Sequence, residues 1–334
     1  MKKRLSIILS VLLLAVTVVG CAKKTITPTT TTPVSKEKPD SIRIGYQLGI
    51  NHTLLIVAKQ KGWFEEEFKN DGIKLEYSQF TSGPPMIESF AGEKLDFGQV
   101  GDQPAIQARA NSIDVRAIGI YASGYKGDGL IVPNGSDIKS IKDLKGKKVG
   151  ITVGSTGHRL LYLFLESAGL KPSDVKEVNL QPADIKTAIA TKSIDAAVTW
   201  EPWISTVEVE GIGHKVVDAT GVKFGVNNII VTGAFAEKYP KIVERVLKVY
   251  VKSEKWVKEN PDKAIDLVAT DTKMKREILA KSFPNVTFDL RITDEVTKSL
   301  NQTIKILRDN NTIRKDVKIE DLVDSSYLKS IGAQ

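Results

Sequence analysis

Apolar residues alternate with Gly150 and Thr152 over Val149-Gly150-Ile151-Thr152-Val153, and Gly154 breaks the run. Leu160, Leu161, Phe164 and Leu165 follow at helical spacing. The pattern predicts a short buried strand, a small-residue corner and the start of a helix. Such a corner presents free backbone N–H groups, the hydroxyls of Ser155 and Thr156, and the positive end of a helix dipole, which together suit an anion. A simple helix cap accounts for the same residues.

The unit occurs twice. Ile44-Gly45-Tyr46-Gln47-Leu48-Gly49 aligns with Val149-Gly150-Ile151-Thr152-Val153-Gly154, and Leu95-Asp96-Phe97-Gly98 with Ile194-Asp195-Ala196-Ala197. Both copies read strand, Gly corner, helix, strand, polar corner, helix, strand, acidic corner. Strands alternating with helices predict parallel sheets, whose ligands bind beyond the carboxyl ends of the strands. The second corner of the first copy, Thr81-Ser82-Gly83-Pro84-Pro85, opens a helix with proline, where no N–H is needed. The third corners, Val100-Gly101-Asp102-Gln103-Pro104 and Thr199-Trp200-Glu201-Pro202-Trp203, each carry a carboxylate near a proline. Asp102 and Glu201 suit either a helix cap or a ligand contact. Trp200 suits either the core or an apolar wall of a site.

Gly129-Leu130-Ile131-Val132-Pro133 reads as an apolar run leaving a first lobe, and Asn228-Ile229-Ile230-Val231-Thr232 as one returning to it. The expected lobes are 41–132 plus 229–334, and 133–228. Three helical patterns follow, after Pro240, after Pro261 and over Val296, Leu300, Ile304 and Leu307; they are expected to pack on the first lobe.

The N-terminus is of another kind. Lys2, Lys3 and Arg4 precede an uncharged stretch to Gly20, and Cys21 ends it. Residues 1–20 read as a secretory signal, too short in its apolar part for a membrane span of roughly 20 residues. The cysteine context resembles the lipobox of bacterial lipoproteins, which implies a lipid on Cys21 and a membrane anchor. Residues 21–40, rich in Thr, Pro and Lys, read as a solvated tether. Cys21 is the only cysteine, so the body has no thiolate metal site, disulfide or cysteine nucleophile.

The formal charge is +8, but the lysines are spread along the body without an aromatic-interleaved stripe, which argues against nucleic acid as a partner. His52, His158 and His214 lack metal-ligand spacing, and no cofactor motif is present. Ser155 and His158 with a carboxylate make a conceivable triad, but Gly154-Ser155-Thr156-Gly157 is not the Gly-x-Ser-x-Gly elbow. The chain is expected not to be an enzyme.

Gly45-Tyr46-Gln47, Phe80-Thr81-Ser82-Gly83-Pro84, Gly101-Asp102, Asp143-Leu144-Lys145-Gly146-Lys147-Lys148-Val149 and Gly154-Ser155 resemble substrate-binding proteins of aliphatic-sulfonate ABC importers. Ser155-Thr156-Gly157-His158, Asn179-Leu180-Gln181-Pro182 and Trp200-Glu201-Pro202 are closer to the taurine branch. The resemblance implies an α/β, two-lobe periplasmic-binding-protein fold (type II) with two crossing hinge segments and a ligand cleft between the lobes. It implies an exported protein that delivers a small anionic organic solute, an alkanesulfonate or taurine, to an importer permease and its ATPase. By position, the ligand contacts are Gln47, Ser82, Gly83, Gly101, Asp102, Ser155, Thr156, Trp200 and Glu201. Nitrate and a thiamine-precursor pyrimidine are the alternative ligands. The chain departs from the sulfonate pattern at Leu48 to Thr53, where Gly49-Ile50-Asn51-His52 replaces a shorter corner, so the resemblance does not define the ligand's non-anionic end.

Overall fold

A computed structural model describes residues 38–333. The expected signal, Cys21 and nearly all of the tether lie outside the described residues. The first βα units run β1 (Ser41–Gln47), α1 (Thr53–Gln60), α2 (Trp63–Phe68), β2 (Lys74–Phe80), α3 (Gly83–Ala91), β3 (Phe97–Gly101), α4 (Asp102–Ala110) and β4 (Val115–Gly124). The chain continues through β5 (Asp128–Pro133), β6 (Lys148–Ile151), α5 (Thr156–Ser167), β7 (Lys176–Asn179), α6 (Pro182–Ala190), β8 (Ala196–Trp200), α7 (Trp203–Val209) and β9 (Gly213–Asp218). It then forms β10 (Gly225–Thr232), α8 (Gly233–Lys238), α9 (Pro240–Glu259), α10 (Pro261–Thr272), α11 (Arg276–Ser282) and α12 (Asp294–Asp309).

The strands form two sheets of one topology, β2-β1-β3-β10-β4 and β7-β6-β8-β5-β9. β1 is parallel to β2 and β3, as β6 is to β7 and β8. The fourth strand of each sheet is antiparallel to its neighbours. The internal repeat is therefore structural, and the parallel strands of each sheet end at one edge. β3 and β8 are buried throughout, as central strands must be, while β2 and β7 are partly exposed edges.

Sheet membership shifts both expected boundaries. β5 pairs with β8 and β9 from Asp128 and Gly129 onward, and β10 joins the first sheet from Gly225. The crossings are therefore 125–127 and 219–224. An apolar run marks a buried strand but carries no information about which sheet receives it.

Helices cover both faces of the first sheet. Leu54, Leu55 and Val57 of α1 pack with Val243, Val246 and Leu247 of α9 over Ile44 and Phe97. On the other face Met86, Phe90 and Ile106 meet Ile304 and Leu307 of α12. The second sheet has its own clusters, with Leu160, Leu161 and Phe164 over Val149 and Ile151, and Ile185, Ile189 and Ile204 opposite. The C-terminal helices do not all stay on the first sheet. α11 lies against α7, where Lys281 approaches Glu208 at 3.2 Å.

Candidate functional site

The corners of the two sheets meet around a small cavity. Six of the expected contacts line it: Gln47, Gly83, Gly101, Ser155, Thr156 and Trp200. Asn51, His52, Pro104, Tyr121 and Asn227 line it as well and were not anticipated. Asn51 and His52 sit in the departing corner and carried a signal; Tyr121 and Asn227 sit within strands, where the apolar pattern hides them.

Two helices start at the cavity. In α5, Ser155 is the N-cap, and its Oγ accepts from the His158 N–H at 3.4 Å, which leaves its hydroxyl proton free to donate. In α3, Ser82 holds the N-cap position in extended backbone but makes no cap hydrogen bond, and Pro84 and Pro85 fill the first turn. The Ser82 Oγ is buried and has no partner. A buried hydroxyl without a partner costs about 1–3 kcal/mol, so it is kept where something else satisfies it. Both helix dipoles direct positive potential at their starts.

The seam between the sheets is tight. A Cβ on Gly101 would overlap Thr156 Cγ2, and one on Gly49, at φ +117°, would overlap the Pro202 ring. Asn51 Nδ2 donates to the Glu201 carbonyl at 3.1 Å across this seam. Glycine is needed here because the opposing chain leaves no room for a methyl group.

Ser82 stands one residue behind the lining, next to Gly83, and Asp102 and Glu201 do not line the cavity either. Asp102 is fully buried at the start of α4, where Oδ1 accepts from Arg159 Nη2 at 3.1 Å and from the Gln103 N–H at 2.8 Å. Its Oδ2 accepts from Thr303 Oγ1 at 2.5 Å and lies 3.5 Å from Lys223 Nζ. Burial alone would raise this carboxyl, but the Arg159 and Lys223 cations and the Thr303 hydroxyl hold it below its ordinary value. Asp128, half-buried beside this cluster, is pushed up to about 6 by desolvation, with Arg159 opposing and the Asp102 charge adding. Burial pushes Lys223 down to about 7. This cluster lies where the crossings meet and ties α4 to α5 across the two sheets. Glu201 turns away likewise. Its carboxylate accepts from the Ser205 N–H and Oγ, each at 3.0 Å, and from Asn285 Nδ2 at 2.8 Å. Its pKa is raised by burial, with these hydrogen bonds opposing.

His52 is buried, with its ring stacked on Tyr121 at 4.9 Å and Nδ1 2.7 Å from Gln99 Oε1. Burial pushes it down to about 4, against the Gln99 hydrogen bond, so the ring is neutral at pH 7. The imagined triad is not assembled. The His158 ring accepts from the Gly154 N–H at Nδ1 and faces Tyr162 and Glu177 with Nε2, so Ser155 Oγ meets only its backbone N–H. Among the described residues no group of His, Cys, Asp and Glu is placed to hold a metal ion.

Residues 49–264 match the model of the family described as NMT1/THI5 like. The chain is 34% identical to the "Putative aliphatic sulfonates-binding protein" of Bacillus subtilis (strain 168), over 86% of this chain and 87% of the relative. Its fold is that of the alkanesulfonate-binding protein SsuA from Xanthomonas axonopodis pv. citri, solved bound to MOPS, with a TM-score of 0.77, 24% identity and coverage of 86% of this chain and 99% of that one. The fold is thus the two-lobe α/β architecture of periplasmic binding proteins. It also occurs in an enzyme, the desulfurization enzyme DSZB, at a TM-score of 0.67 and 17% identity, over 88% of this chain and 99% of that one.

Proposed function

We propose, from the premise that this chain belongs to the NMT1/THI5-like family, that it is an extracytoplasmic solute-binding lipoprotein. It captures a short organosulfonate and delivers it to the permease and ATPase of an ABC importer. The observation that carries this reading is the cavity itself. Two helix starts from opposite sheets converge on it, and a buried, unpartnered hydroxyl, Ser82 Oγ, stands at one of them. A sulfonate has three oxygens and can take donors from both starts at once. The sulfonate-binding relative and the fold likeness support the same headgroup. Each sheet with its helices forms a lobe, and only the shut cleft offers both sets of donors, so the ligand shifts an open–closed equilibrium toward closed. Ser155 Oγ meets only the backbone N–H of His158 and not its ring, and the reading is of a binding protein.

A thermal-shift series tests the ligand class. At a hundredfold excess over Kd, a ligand specific for the folded state stabilises it by about 2.7 kcal/mol, a rise of roughly 5 °C or more in Tm. Short sulfonates are expected to give this rise, with compaction in solution scattering. A rise with nitrate or a pyrimidine and none with sulfonates would refute the reading.

The segment 1–20 is the export signal, Cys21 carries the lipid, and 21–40 holds the body off the membrane. Cys21→Ser is expected to release the protein from membranes with its Tm unchanged. Continued fractionation with membranes would show that the anchor lies elsewhere.

A further inference from the structure

The cavity is lined by two chemically different sets of groups. The helix starts supply donors. The corner between β1 and α1 supplies the opposite. Gln47 Nε2 donates to the Gln99 carbonyl at 3.3 Å, and Asn51 Nδ2 donates to the Glu201 carbonyl at 3.1 Å. A carbonyl oxygen only accepts, so each partner dictates which way its amide is turned. His52 Nδ1 faces Gln99 Oε1 at 2.7 Å, so Nδ1 carries the proton and Nε2 of the neutral ring is an acceptor. Among the described residues no hydrogen bond reaches Gln47 Oε1, Asn51 Oδ1 or His52 Nε2, and all three side chains line the cavity.

We propose that this corner is a donor-recognising subsite, which selects sulfonates bearing an amino or hydroxyl group on a short carbon chain over those ending in a methyl group. The proposal rests on the sulfonate reading above and assigns the ligand's other end. The carboxylates of Asp102 and Glu201 are not available for that end, because Arg159, Lys223 and Thr303 hold the first and Ser205 and Asn285 the second. Three neutral acceptors remain. A methyl group placed against them leaves them desolvated and unpaired, which is the arrangement that discriminates most strongly between a ligand and its apolar analogue. Tyr121, stacked under His52, prevents the ring from turning away.

The test is calorimetric titration of the purified protein with 2-aminoethanesulfonate, 2-hydroxyethanesulfonate and propane-1-sulfonate, which share a headgroup and nearly a size. Propane-1-sulfonate is expected to bind about 30-fold or more weakly than the better of the other two. Equal affinity for all three overturns the subsite and leaves the sulfonate reading standing. Failure of all three to bind overturns both. His52→Phe retains a ring against Tyr121 and removes the acceptor. Its ratio between the best ligand and propane-1-sulfonate is expected to fall to about a third of the wild-type ratio or less, corresponding to one lost hydrogen bond. Because the readout is a ratio within one variant, a general loss of folded protein does not imitate it. An unchanged ratio in that variant, and in Asn51→Ala and Gln47→Ala, overturns the proposal.

Discussion

Arg159→Met is expected to destabilise the protein by about 3–5 kcal/mol, the usual cost of removing one partner from a buried ion pair. Arg159 and Asp102 are both wholly inaccessible, and their 3.1 Å contact joins α5 of one lobe to α4 of the other. The guanidinium is only partly satisfied, since its Nε and Nη1 have no partner. The cluster therefore stands on the electrostatic balance among Asp102, Arg159, Lys223 and Asp128. Without Arg159, the Asp102 carboxylate keeps only Thr303 and the Lys223 amine, whose own burial opposes its charge. Asp102→Asn in the same background should recover part of the loss, since it removes the charge left behind. Denaturant unfolding of both single variants and the double variant measures the coupling. A loss below about 1 kcal/mol for Arg159→Met would mean that the pair is not formed as a buried unit in solution.

Ser82→Ala combined with Ser155→Ala is expected to weaken sulfonate binding about 100-fold or more. A hydrogen bond to a charged group contributes about 1.5–3 kcal/mol, and the two hydroxyls lie at helix starts in different lobes, so their losses add. The unliganded protein should change little. Ser155→Ala gives up a long cap bond to the His158 N–H, at a cost of about 1 kcal/mol or less. Ser82→Ala removes a buried hydroxyl that has no partner, which offsets some of that cost. Calorimetric titration gives the affinity and differential scanning gives the unliganded Tm. Wild-type affinity in the double variant would place the headgroup outside the paired helix starts. A large fall in the unliganded Tm would show that the two serines are structural.

The repeat, the parallel sheets and the edge at which the corners gather were legible in the chain because each is a local property. Alternation and helical spacing mark the elements, and small residues at Gly154 to Gly157 and at Ser82 and Gly83 mark the helix starts. Six of the nine expected contacts line the cavity for the same reason: a residue at a strand's carboxyl end is at the site wherever the sheet lies. Asp102 and Glu201 had equally suitable positions, yet their side chains turn away. Asp102 is captured by Arg159 from the other lobe and by Thr303 from a helix far along the chain, and Glu201 by Asn285. No local pattern reports partners that arrive through the fold. The same holds for Tyr121 and Asn227, which look like ordinary strand residues, and for β5, whose apolar run suits either sheet. Sequence determined the elements and the edge where a ligand would sit, since periodicity and capping act within a few residues. Tertiary structure decided which polar groups remain free at that edge, since a buried charge points to whichever partner long-range packing brings within reach.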